Sequence, residues 1–228
     1  MRPPLMIFAA GLGTRMRPLT DHLPKPLIEV GGQTLLDRAL ALGRQAGVAR
    51  IVVNSHYLGC RIAAHLAGQE VAISDEAALL LDTGGGLRRA LPLLGQGPVL
   101  TLNPDVVWTG PNPLAALIAA WRPDMEALLM LVPRDRATAR VGPGDFALDD
   151  AGRISRRGDV VYGGAQIIRP DLLAGIGEAV FSLNRAWDLM IARGTAHGIL
   201  HAGGWCDVGR PEAIAQAEAL LAKDAPHG

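Results

Sequence analysis

The chain has 228 residues, 49% of them hydrophobic and 19% charged, a balance that supports a buried core and excludes an intrinsically disordered segment. Lys+Arg and Asp+Glu both total 22, which leaves no excess positive field for a nucleic-acid backbone or an anionic membrane surface. No apolar run is long enough to span a bilayer, and Cys60 and Cys206 alone cannot build a disulfide framework. A reduced, cytoplasmic protein is expected, because the first apolar run, Leu5–Ala10, lacks a basic leader and a cleavage site. Leu5–Ala9 predicts a buried strand ending in a glycine-rich turn. Thr34–Ala46 places Leu35, Leu36, Ala39, Leu40 and Leu42 at helical spacing and stops before Gly47. Arg50–Asn54, Glu70–Ser74 and Val99–Leu102 read as further strands, with helices over Gly59–Ala67 and Gly86–Leu94 between them. This alternation implies βαβ units with right-handed crossovers, hence a parallel sheet covered on both faces.

The second half is less regular. Pro113–Trp121 predicts a helix and Ala127–Val132 a strand, after which Arg134–Gly158 is rich in proline, glycine and charge. Within it, Asp145–Leu148 and Arg153–Ser155 flank Asp149–Gly152 as a hairpin. Val160–Ile168 returns to the sheet, Leu183–Arg193 is a helix, Ile199–Val208 a last strand region and Pro211–Ala222 a closing helix. The expectation is one doubly wound, mostly parallel α/β domain over residues 1–228, with a small inserted and mobile excursion in its second half.

The chemistry concentrates in Ala9–Thr20, AAGLGTRMRPLT, followed by Pro24-Lys25-Pro26-Leu27. A glycine-rich turn directly after a first strand lets backbone N–H groups approach an anion, because glycine has no Cβ in the way. Arg15 adds a planar fork for phosphate oxygens. Lys25 adds a point charge held between two prolines. Lysine occurs at only two positions in this arginine-rich chain, and Lys223, in a polar tail, carries no evident role. A P-loop would need a Gly-Lys pair, which is absent; the dinucleotide fingerprint finds Gly11 and Gly13, with Glu29 near its acidic position, but has Met16 where its third glycine belongs.

GLGTRMRPLT…PKPL resembles the nucleotidyltransferases that join a nucleoside triphosphate to a sugar 1-phosphate. The resemblance continues through Asp82–Gly86, Asn103-Pro104-Asp105-Val106, Gly144-Asp145-Phe146 and Trp205–Gly209, and so covers essentially the whole chain. Among the members it is most similar to the bacterial N-acetylmuramate 1-phosphate uridylyltransferases, which implies a part in peptidoglycan recycling. The resemblance implies that Ala10, Gly11, Gly13 and Thr14 cradle a triphosphate, UTP for preference. Thr83, Gly84, Gly85 and Asn103 would bind the nucleotide, with Thr83–Gly86 forming a loop of small residues against which a base or ribose lies. It implies that Asp105 and Asp207 hold Mg²⁺, an ion that takes one or two carboxylates and leaves its other positions to phosphates. Arg15 and Lys25 become the catalytic cations, Arg15 on the departing pyrophosphate and Lys25 between the attacking phosphate and the α-phosphate. Asp145, Gly164 and Asn184 would line the sugar pocket, Gly163-Gly164 preceding a strand, with Arg156 or Arg157 supplying a second cation. Two departures stand out: Pro104 replaces the usual glycine before the metal aspartate, and Asp82 stands where similar chains have glutamate.

The implied partners are small molecules, and a monomer or small homo-oligomer is expected. Two alternatives remain beside this reading. One is guanylyl or thymidylyl transfer to mannose or glucose 1-phosphate. The other is a nucleotide-sensing module without turnover, which would be expected to have lost Lys25, Asp105 or Asp207. His56 and His65 read as surface or loop histidines, and Cys206 as a small packed residue.

Overall fold

A computed structural model describes residues 2–224; the ends of the expected 1–228 domain lie outside the described residues. The first half contains β1 (Leu5–Phe8), β2 (Glu29–Val30), β3 (Gln33–Thr34), α1 (Leu35–Gln45), β4 (Ile51–Ser55), α2 (Gly59–Leu66), β5 (Val71–Asp75), α3 (Asp82–Leu94), β6 (Val99–Leu102) and β7 (Val106–Trp108). The second contains α4 (Pro113–Ala120), β8 (Ala127–Pro133), β9 (Ala137–Thr138), β10 (Phe146–Leu148), β11 (Ile154–Arg156), β12 (Val160–Ile168), α5 (Asn184–Ala192), β13 (Ala196–Leu200), β14 (Trp205–Asp207) and α6 (Glu212–Asp224). The main sheet runs β5-β4-β1-β6-β12-β8-β13. β12 is antiparallel to both its neighbours, while β5, β4, β1 and β6 are parallel, as are β8 and β13. No helix of the described residues is long and apolar enough to cross a membrane.

Both faces of the sheet are covered, as the apolar runs demand. Along β1, Met6 joins a core with Leu87, Ala90 and Leu94 of α3 and Trp187 and Met190 of α5. Leu5 and Ile7 point the other way, to Leu36, Ala39 and Leu40 of α1 and Leu114 and Leu117 of α4. α1 starts where Thr34 accepts the Asp37 N–H on its Oγ1 at 3.0 Å, a side-chain N-cap. A third apolar cluster sets α6 against β7, β14 and the buried Met16.

Four sequence expectations change in the structure. Ile199–Val208 is two elements in different sheets, β13 pairing with β8 and β14 lying between β7 and β9. Gly163 and Gly164 do not precede β12; they sit inside it, at a break in register between Tyr162 and Gln166. A Cβ on Gly163 would meet Trp108 Cη2 at 2.6 Å, and Gly164 has φ of 94°, so these glycines let the strand bend beneath an indole. Lys223 lies in the last turn of α6, exposed, and not in a tail. The hairpin forms as expected, as β10 and β11, with β10 joined to the main sheet through Phe146 and Val160.

The fourth change concerns Thr83–Gly86, expected as a loop. It is the first turn of α3, and Gly84, Gly85 and Gly86 are buried. Their donors are already used, since the N–H groups of Gly84 and Gly85 donate to the Phe181 carbonyl at 2.9 and 3.1 Å. A Cβ on Gly84 would enter the Phe181 ring, and one on Gly85 would stand 2.5 Å from the Ala179 carbonyl oxygen. The glycines bring the chain's own 179–181 segment against the helix. Gly85→Ala therefore destabilises the fold by about 1–3 kcal/mol despite alanine's better helix propensity, because a backbone carbonyl cannot step aside cheaply. Urea unfolding should show a lower midpoint; a raised midpoint would mean that this close approach is absent.

Candidate active site

The order of strands reverses between β1 and β6. The chain moves outward from β1 to β4 and β5, then returns to place β6 on the other side of β1. Open α/β sheets bind ligands at the carboxyl ends of the strands flanking such a reversal. Here those ends are Ala9–Thr14 and Asn103–Asp105.

The turn after β1 is held from below. Asn54, at the end of β4, accepts the Ala9 N–H on Oδ1 at 2.7 Å and donates from Nδ2 to Glu76 Oε1 at 2.6 Å. Gly13 has φ of 62°, and a Cβ there would lie 3.0 Å from Thr20 Cγ2 and 3.1 Å from Lys25 Cβ. Thr20 Oγ1 donates to the Gly13 carbonyl at 2.9 Å, while Gly11 faces open space. Thr14–Met16 is a single 3-10 turn with Met16 buried in the core. No helix starts there, so the dinucleotide reading fails on structure as well as on its missing glycine.

Pro24 and Pro26 flank Lys25 at the start of a second 3-10 turn. Its Nζ donates to Asp105 Oδ2 at 2.6 Å, and only 11% of the lysine side chain is exposed. Asp105 immediately precedes β7, and Asp207 ends β14 directly opposite Val106. The Val208 N–H donates to the Asp105 carbonyl at 2.9 Å, so main-chain bonding fixes the two aspartates as neighbours. Burial, and then the neighbouring Asp105 carboxylate, push the Asp207 carboxyl above the usual carboxylate range, against the pull of Lys25, Arg15 and Arg140.

Two clefts meet at Asp105. The first, about 500 Å³, is lined by Ala10, Gly11, Gly13 and Lys25 on one side and by Glu76, Leu80, Thr83 and Val180 on the other. The second, about 330 Å³, holds Arg15, Asp207, Arg140, Asp145, Gly164 and Asn184. Phe8, Asp82, Thr83, Asn103 and Asp105 border both. Of the residues singled out from sequence, Thr14, Gly84 and Gly85 line neither cleft. Arg156 lines the second cleft and Arg157 does not. Asp82 takes φ of 59° and accepts the Thr83 N–H on Oδ1 at 2.6 Å, a local bond that suits a short side chain to left-handed backbone.

Several lining residues escaped the sequence reading. Glu76 is buried and also accepts the Leu81 N–H on Oε2 at 3.1 Å. Arg140 donates to Asp145 Oδ1 at 2.9 Å, and Asp145 Oδ2 accepts the Tyr162 N–H. Trp187 Nε1 donates to the buried Gln166 at 2.9 Å. An Asn and a Glu at the ends of adjacent predicted strands could have signalled the first pair; nothing local marks the others. Cys206 is buried, its thiol pushed up to about 11 by desolvation and by Asp207, so it is no nucleophile. His65 pairs with Asp37 and His56 with the Glu76 carbonyl, away from the junction.

A raised carboxyl carries a stability consequence. In the unfolded chain Asp207 ionises at its ordinary value, whereas the folded carboxyl keeps its proton to higher pH. Folding thus becomes less favourable as pH rises between the two values, and the deficit is complete above the folded one. Asp207→Asn should raise Tm at pH 7 in the presence of EDTA. The gain should shrink as pH falls through the range where Asp207 takes up its proton; a gain independent of pH would contradict the repulsion.

Residues 5–197 match the MobA-like NTP transferase domain family. Over 96% of both chains the sequence is 40% identical to N-acetylmuramate alpha-1-phosphate uridylyltransferase of Caulobacter vibrioides. It is 37% identical to the protein of that name from Neisseria meningitidis serogroup B, covering 94% of this chain and 96% of the relative. In fold it is similar to HddC from Yersinia pseudotuberculosis, with a TM-score of 0.77 at 18% identity, covering 96% of this chain and 99% of that one. With a family match over most of its length and relatives this similar over nearly the whole chain, the protein belongs to the MobA-like NTP transferase family.

Proposed function

We propose that the protein is a cytoplasmic uridylyltransferase that transfers UMP from UTP to N-acetylmuramate 1-phosphate, releasing pyrophosphate. The observation that carries this reading is the meeting of two clefts at a lysine and two carboxylates, in a chain 40% identical to a uridylyltransferase of that specificity. The first cleft would take the nucleotide, its triphosphate along Gly11 and Gly13 and its base between the apolar side chains of Leu80 and Val180. The second would take the sugar, with Asp145, Asn184 and Gly164 as its walls. The choice of uracil rests on the relatives, since no side chain in the first cleft selects it alone.

In the reaction an oxygen of the sugar phosphate bonds to the α-phosphorus, the bond from that phosphorus to the β-phosphate oxygen breaks, and pyrophosphate leaves. The attacking oxygen is already anionic, so no general base is required; mutual repulsion of the phosphates is the main obstacle. Lys25 stands where the clefts join and would neutralise both phosphates, and Arg15 would neutralise the leaving group. Asp105 and Asp207 fit a divalent cation, Mg²⁺ in this proposal. They are adjoining oxygen donors whose repulsion a cation would relieve, and among the described residues no cluster of three His, Cys, Asp or Glu competes for that role. When bound, such an ion supplies charge neutralisation at the phosphates.

Lys25→Ala should lower kcat by about 10²–10³, the scale for one lost transition-state electrostatic contact, and weaken the sugar phosphate more than the triphosphate. Lys25→Arg should restore only part, because a planar fork does not replace a compact ammonium between two prolines. Asp105→Asn and Asp207→Asn should fold and lose activity. Substrate choice is read by pyrophosphate release with UTP, GTP, dTTP and CTP crossed against muramate, glucosamine, mannose and glucose 1-phosphates. The expected maximum is UTP with N-acetylmuramate 1-phosphate. A maximum for GTP with mannose 1-phosphate would overturn the uridylyl assignment.

A further inference from the structure

Three guanidinium groups line the second cleft, and two are matched by the acids of the site. Arg15 lies beside Asp207, whose carboxyl it helps hold down, and Arg140 is paired with Asp145. Arg156 is placed differently. Its Nε donates to Asp188 Oδ1 at 2.8 Å and its Nη2 to the Asn184 carbonyl at 3.1 Å. Among the described residues its Nη1 donates no hydrogen bond. Asp188 does not line the cleft; it sits on the exposed side of α5 and engages the outer edge of the guanidinium. The guanidinium carbon lies 4.9 Å from the centroid of the Phe146 ring and 5.7 Å from that of Trp187, two rings that also line the cleft.

These contacts fix a long side chain in one orientation before any ligand arrives. The entropy of ordering an arginine is then already spent, and a partner meets a pre-set donor pair. A neutral sugar hydroxyl would not repay a cation held against two aromatic faces; an anion would. The anomeric phosphate is not that anion, because Lys25, Arg15 and the two aspartates define its place, and Arg156 touches none of them.

We propose that Arg156 is a carboxylate subsite, its Nη1 edge receiving a second negative charge carried by the sugar at a position remote from the phosphate. The inference rests on the muramate reading above and deepens it, since the lactyl ether of muramate carries such a carboxylate. An acceptor would then be recognised at two anionic points, and uncharged acetamido sugars of similar size would be disfavoured for want of the second.

The test measures kcat/KM with UTP for N-acetylmuramate 1-phosphate and for its analogue with the lactyl carboxylate converted to the primary amide. Wild-type enzyme should prefer the acid by about tenfold to a hundredfold, the scale of one charge-assisted hydrogen-bonded pair. Arg156→Gln should collapse that preference, with the loss in KM more than in kcat, and Arg156→Lys should retain part of it. An unchanged preference in Arg156→Gln, or an equal loss on both substrates, overturns the subsite. Should Arg156→Gln fail to fold, Asp188→Asn serves: loosening the contact that orients the guanidinium should lower the preference for the acid, and an unchanged preference overturns the proposal. Wild-type enzyme that uses neither muramate compound overturns the functional reading and the subsite together, whereas an acid preference that survives Arg156→Gln overturns the subsite alone.

Discussion

Lys25 and Asp105 come from segments eighty residues apart and meet at 2.6 Å where two clefts join. Each is partly withdrawn from water, so removing one partner leaves the other without its compensating charge. Much of the surrounding architecture serves that pair. Proline on both sides holds the lysine backbone, Gly13 lacks the Cβ that would crowd Lys25 Cβ at 3.1 Å, and β7–β14 pairing carries Asp105 alongside Asp207. The second aspartate has its carboxyl raised, first by burial and then by the charge of Asp105. Two adjoining carboxylates in a half-buried place gain from added positive charge, and a nucleotide arriving with a divalent ion would bring it.

Glycine serves two different purposes around this centre. Gly11 and Gly13 leave backbone exposed to the first cleft, as the phosphate-cradle argument requires. Gly84, Gly85 and Gly86 do the reverse, admitting the chain's own Phe181, Ala179 and Glu76 where a Cβ would stand. Both patterns read as glycine-rich loops in one dimension. The difference lies in what approaches them, and a partner a hundred residues away leaves no trace in the local sequence.

The same division explains how much of the fold was legible. The alternating apolar runs of the first half located β1, β4 and β6 to within about a residue, because parallel strands buried on both faces have a strong compositional signature. The motif residues Gly11, Lys25, Asp105 and Asp207 reached the site because each follows a strand or turn that could be read locally. Legibility failed where tertiary contacts decide: the bend of β12 under Trp108, the division of Ile199–Val208 between two sheets, and the pairing of Arg140 with Asp145. The roles of Asn54 and Glu76 were hidden for a related reason. They act through hydrogen bonds across adjacent strands, and such pairing depends on register, which a single sequence states only weakly.

The segment from Ala179 to Leu183 is clamped to the start of α3 through the Phe181 carbonyl and through the Leu183 N–H on Thr83 Oγ1. Val180 lines the first cleft, while Ser182 and Leu183 line the second. One anchored stretch of five residues therefore forms a shared party wall. On the proposed reading, its thickness would set a minimum spacing between the two substrates. On that reading the outer wall could widen to admit a bulkier sugar while the spacing stays gauged by the inner one.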